Sequence, residues 1–323
     1  MDDLVDKPAR QQALLPSAPV PVAAKPLACG TAPESASARD KLVAACLADA
    51  IGAFGVASSG YHLRRRVLTG LLRLPVRRVA ERLLAYDAIV ADQGLQRGGA
   101  YALPTLARHA VVHGQANIPR RGPLLLVSNH PGLADAAALF AHVPRVDLRV
   151  IAARRPLLAA LPATARQLLF VPEDGSNRLP VVRQAARHMR HGGALLTFPA
   201  GRIEPDPAIR SDAIAALAQW SPCVDSFARL APDLTIVPVV VSGVLSRRAL
   251  DHPVTRLRHA QRDREWLAAT LQMLVPALAD VTVRVVFGAP IRVSTLAVGQ
   301  SARAAVLDRT RQLMRDCALP DQP

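Results

Sequence analysis

Two periodicities divide the chain. From Lys41 to about Ile118 apolar residues recur at three- and four-residue intervals. Leu68, Leu72, Val76, Val79, Leu83, Tyr86 and Val90 form one such row, while Arg66, Arg73, Arg77, Arg78 and Arg82 take other faces. That spacing predicts amphipathic helix, with Pro75 expected in the first turn of its second half. After Pro119 the pattern changes to short apolar runs: Leu124–Val127, Leu148–Ala152, Leu168–Val171, Leu195–Phe198, Ile236–Val241 and Val281–Phe287, with helical stretches between them and a last helix over Ser301–Cys317. Buried apolar strands alternating with helices predict an α/β layered domain, its mostly parallel central sheet flanked by helices, preceded by a helical region. The expected divisions are a disordered Pro/Ala-rich tail at 1–40, a basic amphipathic helical region at 41–118, the layered domain at 119–293, and a C-terminal helix and tail at 294–323. Residues 1–40 hold six prolines and few large apolar side chains, too little to offset the entropy of ordering.

Charge adds a partner class. The 323 residues include 40 Lys plus Arg and 25 Asp plus Glu, a net charge of +15. The only lysines are Lys7, Lys25 and Lys41, so 40 − 3 = 37 of the bases are arginine, whose forked guanidinium matches phosphate oxygens. Eleven arginines between Tyr61 and Arg121 face three acids, a local excess of 11 − 3 = +8. Two readings stand: the segment lies in an anionic membrane interface, or it packs on the core with a solvated outer face. Aromatic residues make up 3% of the chain and do not interleave with the basic cluster, which argues against nucleic acid. No apolar stretch reaches the roughly 20 residues of a membrane span, so any membrane contact is at the surface. Asp2, Asp3 and Asp6 occupy the place where a secretory signal carries bases. Cys29, Cys46, Cys223 and Cys317 lack metal-site spacing. These features predict a cytoplasmic protein without a metal, peripheral on the inner face of the cytoplasmic membrane.

Candidate chemistry sits at strand ends. The run Ser128-Asn129-His130-Pro131-Gly132-Leu133-Ala134-Asp135 delivers His130 from a strand, turns at Pro131 and Gly132, and places Asp135 on the first turn of a helix. A carboxylate on one ring nitrogen fixes the tautomer and leaves the other to take a proton. The alternative is an ordinary strand-to-helix turn with a capping Asp. His142 and Asp147 share the five-residue spacing but lack the strand and turn, and are read as coincidence. The second run, Phe198-Pro199-Ala200-Gly201-Arg202-Ile203-Glu204, combines a Gly turn with a guanidinium, which suits an oxyanion, or is a proline-rich turn with a surface Arg. A third, Thr235–Val241, reads as a buried strand with Pro238 where pairing is interrupted. There is no Gly-x-Ser-x-Gly elbow, no His-Glu-x-x-His helix and no lysine for a P-loop.

In this order the three runs resemble the 1-acylglycerol-3-phosphate acyltransferase family. The family's His, four residues and Asp, usually after Asn, are matched by Asn129, His130 and Asp135. Its Phe-Pro-Glu-Gly block is matched at Phe198, Pro199, Gly201 and Arg202, and its Pro-containing strand around Val237 and Pro238. The resemblance covers Pro119 to Val293. Ala200 replaces the family's usual Glu, for which Glu204 is a possible substitute. Glu173 stands in Leu168-Leu169-Phe170-Val171-Pro172-Glu173 where the family has Arg, with Arg178 five residues on. The resemblance implies transfer of a fatty acyl group from acyl-CoA or acyl carrier protein to the hydroxyl of a lysophospholipid or glycerol-phosphate-like acceptor, with no metal or prosthetic group. His130 would be the base and Asp135 its orienter. Asn129, Gly132, Arg178, Phe198, Pro199, Gly201 and Arg202 would bind substrate. The rival readings are an acyl thioesterase and a lipid-binding module that has kept the fold without activity.

Overall fold

The computed structural model describes residues 33–56, 62–172, 178–297 and 299–318. Among these, eight strands build one sheet: β1 (His109–His113), β2 (Leu124–Ser128), β3 (Leu148–Ala153), β4 (Leu168–Val171), β5 (Ala194–Thr197), β6 (Thr235–Ser242), β7 (Thr282–Phe287) and β8 (Ile291–Arg292). Their order is β1-β7-β6-β2-β5-β3-β4, with β8 also paired to β6. The run β6-β2-β5-β3-β4 is parallel throughout, and β7 and β8 lie antiparallel to β6. The mostly parallel α/β sheet is therefore as the apolar runs predict.

Alternate residues of the central strands feed two cores, as a sheet covered on both faces requires. Leu124, Leu126, Leu196, Val237, Val239 and Val241 belong to one, and Leu125, Val127, Leu195, Ile236 and Val240 to the other. Pro238 lies inside β6 at a gap: β7 pairs with Val239–Ser242 and β8 with Thr235 and Ile236, so neither needs a proline N–H.

Three boundaries differ from the sequence reading. Helix α1 (Pro33–Ala53) begins inside the expected 1–40 tail, burying Leu42, Cys46 and Ala50; the rest of that tail, 1–32, lies outside the described residues. The expected helical stretch to Ile118 ends at Leu106, and β1 joins the sheet beside β7. Pro75 does not start a new helix. It sits within α2 (His62–Leu106), whose break is Gly94, at φ 81° and ψ 176°. Proline removes one bond to the carbonyl four residues back, here that of Leu71, an exposed residue where water reaches the backbone.

Beyond the break, α2 packs closely on α3 (Leu133–His142). A Cβ on Gly99 would lie 2.5 Å from the Ala141 backbone nitrogen. The last helix, Ala302–Ala318, is not a detached tail, because Ala302, Val306, Leu307 and Met314 enter the second core. At the edge where β2, β3 and β5 begin, buried Arg145 binds Asp147 at 2.7 and 2.8 Å. It also donates to the carbonyls of Pro119 and Gly122, both at 3.1 Å, and Gly192 at 2.6 Å.

Candidate active site

Parallel pairing of β2 with both β5 and β6 brings all three sequence runs to one edge. Val127 stands beside Thr197 and Pro238, so the residues leaving β2 meet those leaving β5 and the end of β6. The carboxyl ends of parallel strands are where α/β sheets place ligands. Asn129 fixes this junction. Fully buried, it donates from Nδ2 to the Val241 carbonyl and accepts from the Val241 N–H at Oδ1, both at 2.8 Å. Its polar groups thus serve the backbone of β6.

His130 follows. Its Nδ1 lies 2.8 Å from Asp135 Oδ2, which also accepts the Gly132 N–H at 3.0 Å, while Oδ1 accepts the N–H of Ala136. Asp135 is fully buried in the first turn of α3. A carboxylate facing Nδ1 puts the proton there, so Nε2 carries the lone pair, and Nε2 has no hydrogen-bond partner among the described residues. The side chain of His130 is 25% exposed. Phe198 walls it, ring centroids 4.6 Å apart and planes inclined by 31°. Burial alone would lower the imidazole's pKa, but the charge and hydrogen bond of Asp135, with the charge of Glu204, leave it above its ordinary value.

Glu204 packs against the same turn. Its Oε2 accepts the His130 N–H at 3.0 Å, its own N–H donates to the His130 carbonyl at 2.8 Å, and Oε1 accepts from Trp220 Nε1 at 2.7 Å. Burial pushes its carboxyl up to about 6, against the pull of these donors. Position 200, where the family pattern has Glu, carries a methyl, and the carboxylate that reaches the histidine turn comes from four residues on.

Gly201 turns at φ 64°, its N–H on the Phe198 carbonyl at 3.0 Å. Buried Pro199 accepts the Ser221 N–H at 3.0 Å. Arg202 is exposed and has no ion pair or hydrogen bond among the described residues. Arg178 is exposed at the start of the helix Leu179–Arg190, with no hydrogen bond or ion pair to the His130 turn. Glu173 lies outside the described residues.

Sequence reasoning missed Trp220 and two other contributors. Arg154, at the end of β3, stacks 4.9 Å over Phe170 and places a guanidinium on this edge from a neighbouring strand. Asp206 accepts the N–H groups of Gly243, Val244 and Leu245, fixing the loop after β6 whose Val244 side chain faces Gly132. The short polar segment around Asp206 gave no sign of a partner some forty residues away. The second pair with the same spacing is no pair: His142 Nδ1 bonds the Ala138 carbonyl, and Asp147 belongs to Arg145.

The model of the acyltransferase family matches residues 109–242, from the first residue of β1 to the last of β6. The chain carries an acyltransferase domain. Its match begins at β1, which agrees with that strand belonging to the sheet. A solved structure of similar shape is the 1-acyl-sn-glycerophosphate (LPA) acyltransferase PlsC from Thermotoga maritima, with a TM-score of 0.44 and 14% identity over 80% of this chain and 99% of that one. A comparison with curated proteins gives no match. Within the acyltransferase domain, the residues gathered at the strand ends comprise an imidazole, the carboxylate bonded to it, an aromatic wall and an exposed guanidinium. No serine, threonine or cysteine is hydrogen-bonded to the open ring nitrogen among the described residues.

Proposed function

We propose that this acyltransferase moves a fatty acyl group from acyl-CoA or acyl carrier protein to the hydroxyl of a lysophospholipid or glycerol-phosphate-like acceptor, working on the inner leaflet of the cytoplasmic membrane. The observation that carries this reading is the His130–Asp135 pair, with Nε2 open and, among the described residues, no protein hydroxyl or thiol hydrogen-bonded to it. His130 Nε2 takes the acceptor's hydroxyl proton as its oxygen attacks the thioester carbonyl. The imidazolium then returns that proton to the departing thiolate. Asp135 holds the tautomer and stabilises the imidazolium. Arg202, carried on the turn that Gly201 makes, holds the acceptor's anionic group, and Arg154 and Arg178 add positive charge.

Two surface features support a lipid substrate. Leu133 and Ile203, on either side of the His130 turn, are exposed. On α2, Leu63, Val67, Leu71 and Leu74 are each more than half exposed. At 100° per residue they fall within about 80° of the helix circumference, opposite the buried Leu72, Val76 and Val79. Arg66, Arg73 and Arg77 border this stripe on one side, Arg64 and Arg82 border it on the other, and Arg78 falls within it. An apolar stripe between arginine rows suits an anionic lipid surface. No helix among the described residues is long and apolar enough to cross a membrane.

The test offers long-chain acyl-CoA or acyl carrier protein with lysophospholipid acceptors to the wild type and His130→Ala. Acylated product is expected from the wild type, with a loss of about 10²–10⁴ in rate for the variant. Undiminished transfer by His130→Ala would sink the proposed base, and thiol release without acylated product would make the protein a thioesterase.

A further inference from the structure

Glu204 is a buried acid with a role that turn formation alone does not explain. A side-chain carboxylate, not a neighbouring strand, receives the N–H of His130, and the backbone of the same residue returns a bond to the His130 carbonyl. The histidine's main chain is thereby gripped from both sides by one residue. The second carboxylate oxygen is held by the Trp220 indole N–H, and the backbone carbonyl of Trp220 accepts from the Arg303 guanidinium at 2.7 and 3.0 Å. A line of contacts therefore runs from the last helix through Trp220 and Glu204 to the turn that presents the ring.

We propose that Glu204 is the positioning residue of this turn: braced by Trp220, its carboxylate fixes where the His130 ring stands and gives the imidazolium a second negative neighbour beside Asp135. This rests on the reading of His130 as the base. Groups facing Glu204 are His130 and Asp135 from the turn and α3, and the uncharged Trp220 from the segment before the helix Cys223–Leu230. Asp206 nearby is turned to the backbone after β6. A carboxylate can accept from both His130 and Trp220, whereas a carboxamide or a protonated acid turns one oxygen into a donor and loses one of them. The carboxyl titrates at about 6, so it is ionised at neutral pH and the double acceptance is available where the base works.

Glu204→Gln keeps the shape and removes both the charge and one acceptor. Histidine carbon NMR, with the His130 resonance assigned by its absence in His130→Ala, reads the first effect without turnover. The His130 midpoint is expected to fall by about half a unit or more, moving the acid limb of the pH–rate profile the same way. Loss of position is expected to lower kcat by about 10–100-fold, with KM for both substrates little changed. Trp220→Phe keeps the charge but frees the carboxylate, so kcat falls while the His130 midpoint does not. Combined with Glu204→Gln it adds little further loss. A folded Glu204→Gln protein with the wild-type midpoint and kcat overturns the proposal. If that variant does not fold, wild-type kcat in Trp220→Phe does so. Acyl transfer surviving in His130→Ala would instead defeat the base, while the midpoint shift would still report Glu204 on its own.

Discussion

At the scale of single residues, the strand–turn–helix around His130 was readable because its parts are neighbours in sequence. Asn129, His130 and Asp135 lie within seven positions, and the turn between them uses Pro131 and Gly132. One change separates geometry from chemistry there. Asp135→Asn keeps the size of the side chain but can present an N–H to Nδ1, which favours the tautomer with the proton on Nε2. We expect kcat to fall by about 10²–10⁴ with the fold intact, measured by acyl-transfer assay beside circular dichroism. The wild-type acid limb should have its midpoint above the ordinary histidine value of about 6.5, since the acid neighbours outweigh burial and only the neutral ring accepts a proton. Glu204 and Trp220 were a different matter. Glu204 stands 74 residues from His130 and Trp220 another 16 on, and nothing local in either segment says that they meet. What the sequence did contain was an acid near the position where the family pattern expects one.

At the scale of elements, long apolar runs were legible and short polar-edged ones were not. Six strands fell within two residues of their expected ends, because their interiors are mostly Leu, Val, Ile and Ala. β1 was read as helix because its five residues begin and end in histidine and it lies at the edge of the sheet, only partly buried. β8 has two residues, too few for any period. Gly94 and Pro75 exchanged roles for a physical reason: glycine reaches positive φ freely, whereas proline within a helix costs one hydrogen bond that exposed backbone recovers from water. The close approach of α2 to α3 gives a matched pair of tests. Gly99→Ala drives a methyl into the Ala141 backbone and is expected to cost about 1–3 kcal/mol. Gly70→Ala, with nothing within 4 Å, should gain up to about 1 kcal/mol from helix propensity. Urea unfolding measures both.

At the scale of the molecule, net charge indicated an anionic partner, but only the structure separates the two faces of α2. Its buried face meets the core, while the outer face carries apolar residues as well as arginines. The core-packed reading holds for the buried face, and the membrane contact is proposed for the outer one. Leu63→Glu combined with Leu71→Glu should weaken sedimentation with phosphatidylglycerol vesicles by about tenfold or more, leaving thermal stability near the wild-type value because neither side chain is buried. Binding that is unchanged would remove the outer face of α2 from the membrane contact. Rising salt should weaken binding in the wild type as well, since exposed charges are screened within about 10 Å at 0.1 M.

Arg145 sits at the opposite rim of the sheet from His130, clasping the starts of three strands through one planar group. The molecule is thus fastened at one end and carries the proposed base at the other. Damage at the fastening should show up as fewer intact molecules, each still turning over at its native pace, which makes that rim the natural internal standard for telling a crippled catalyst from a scarce one.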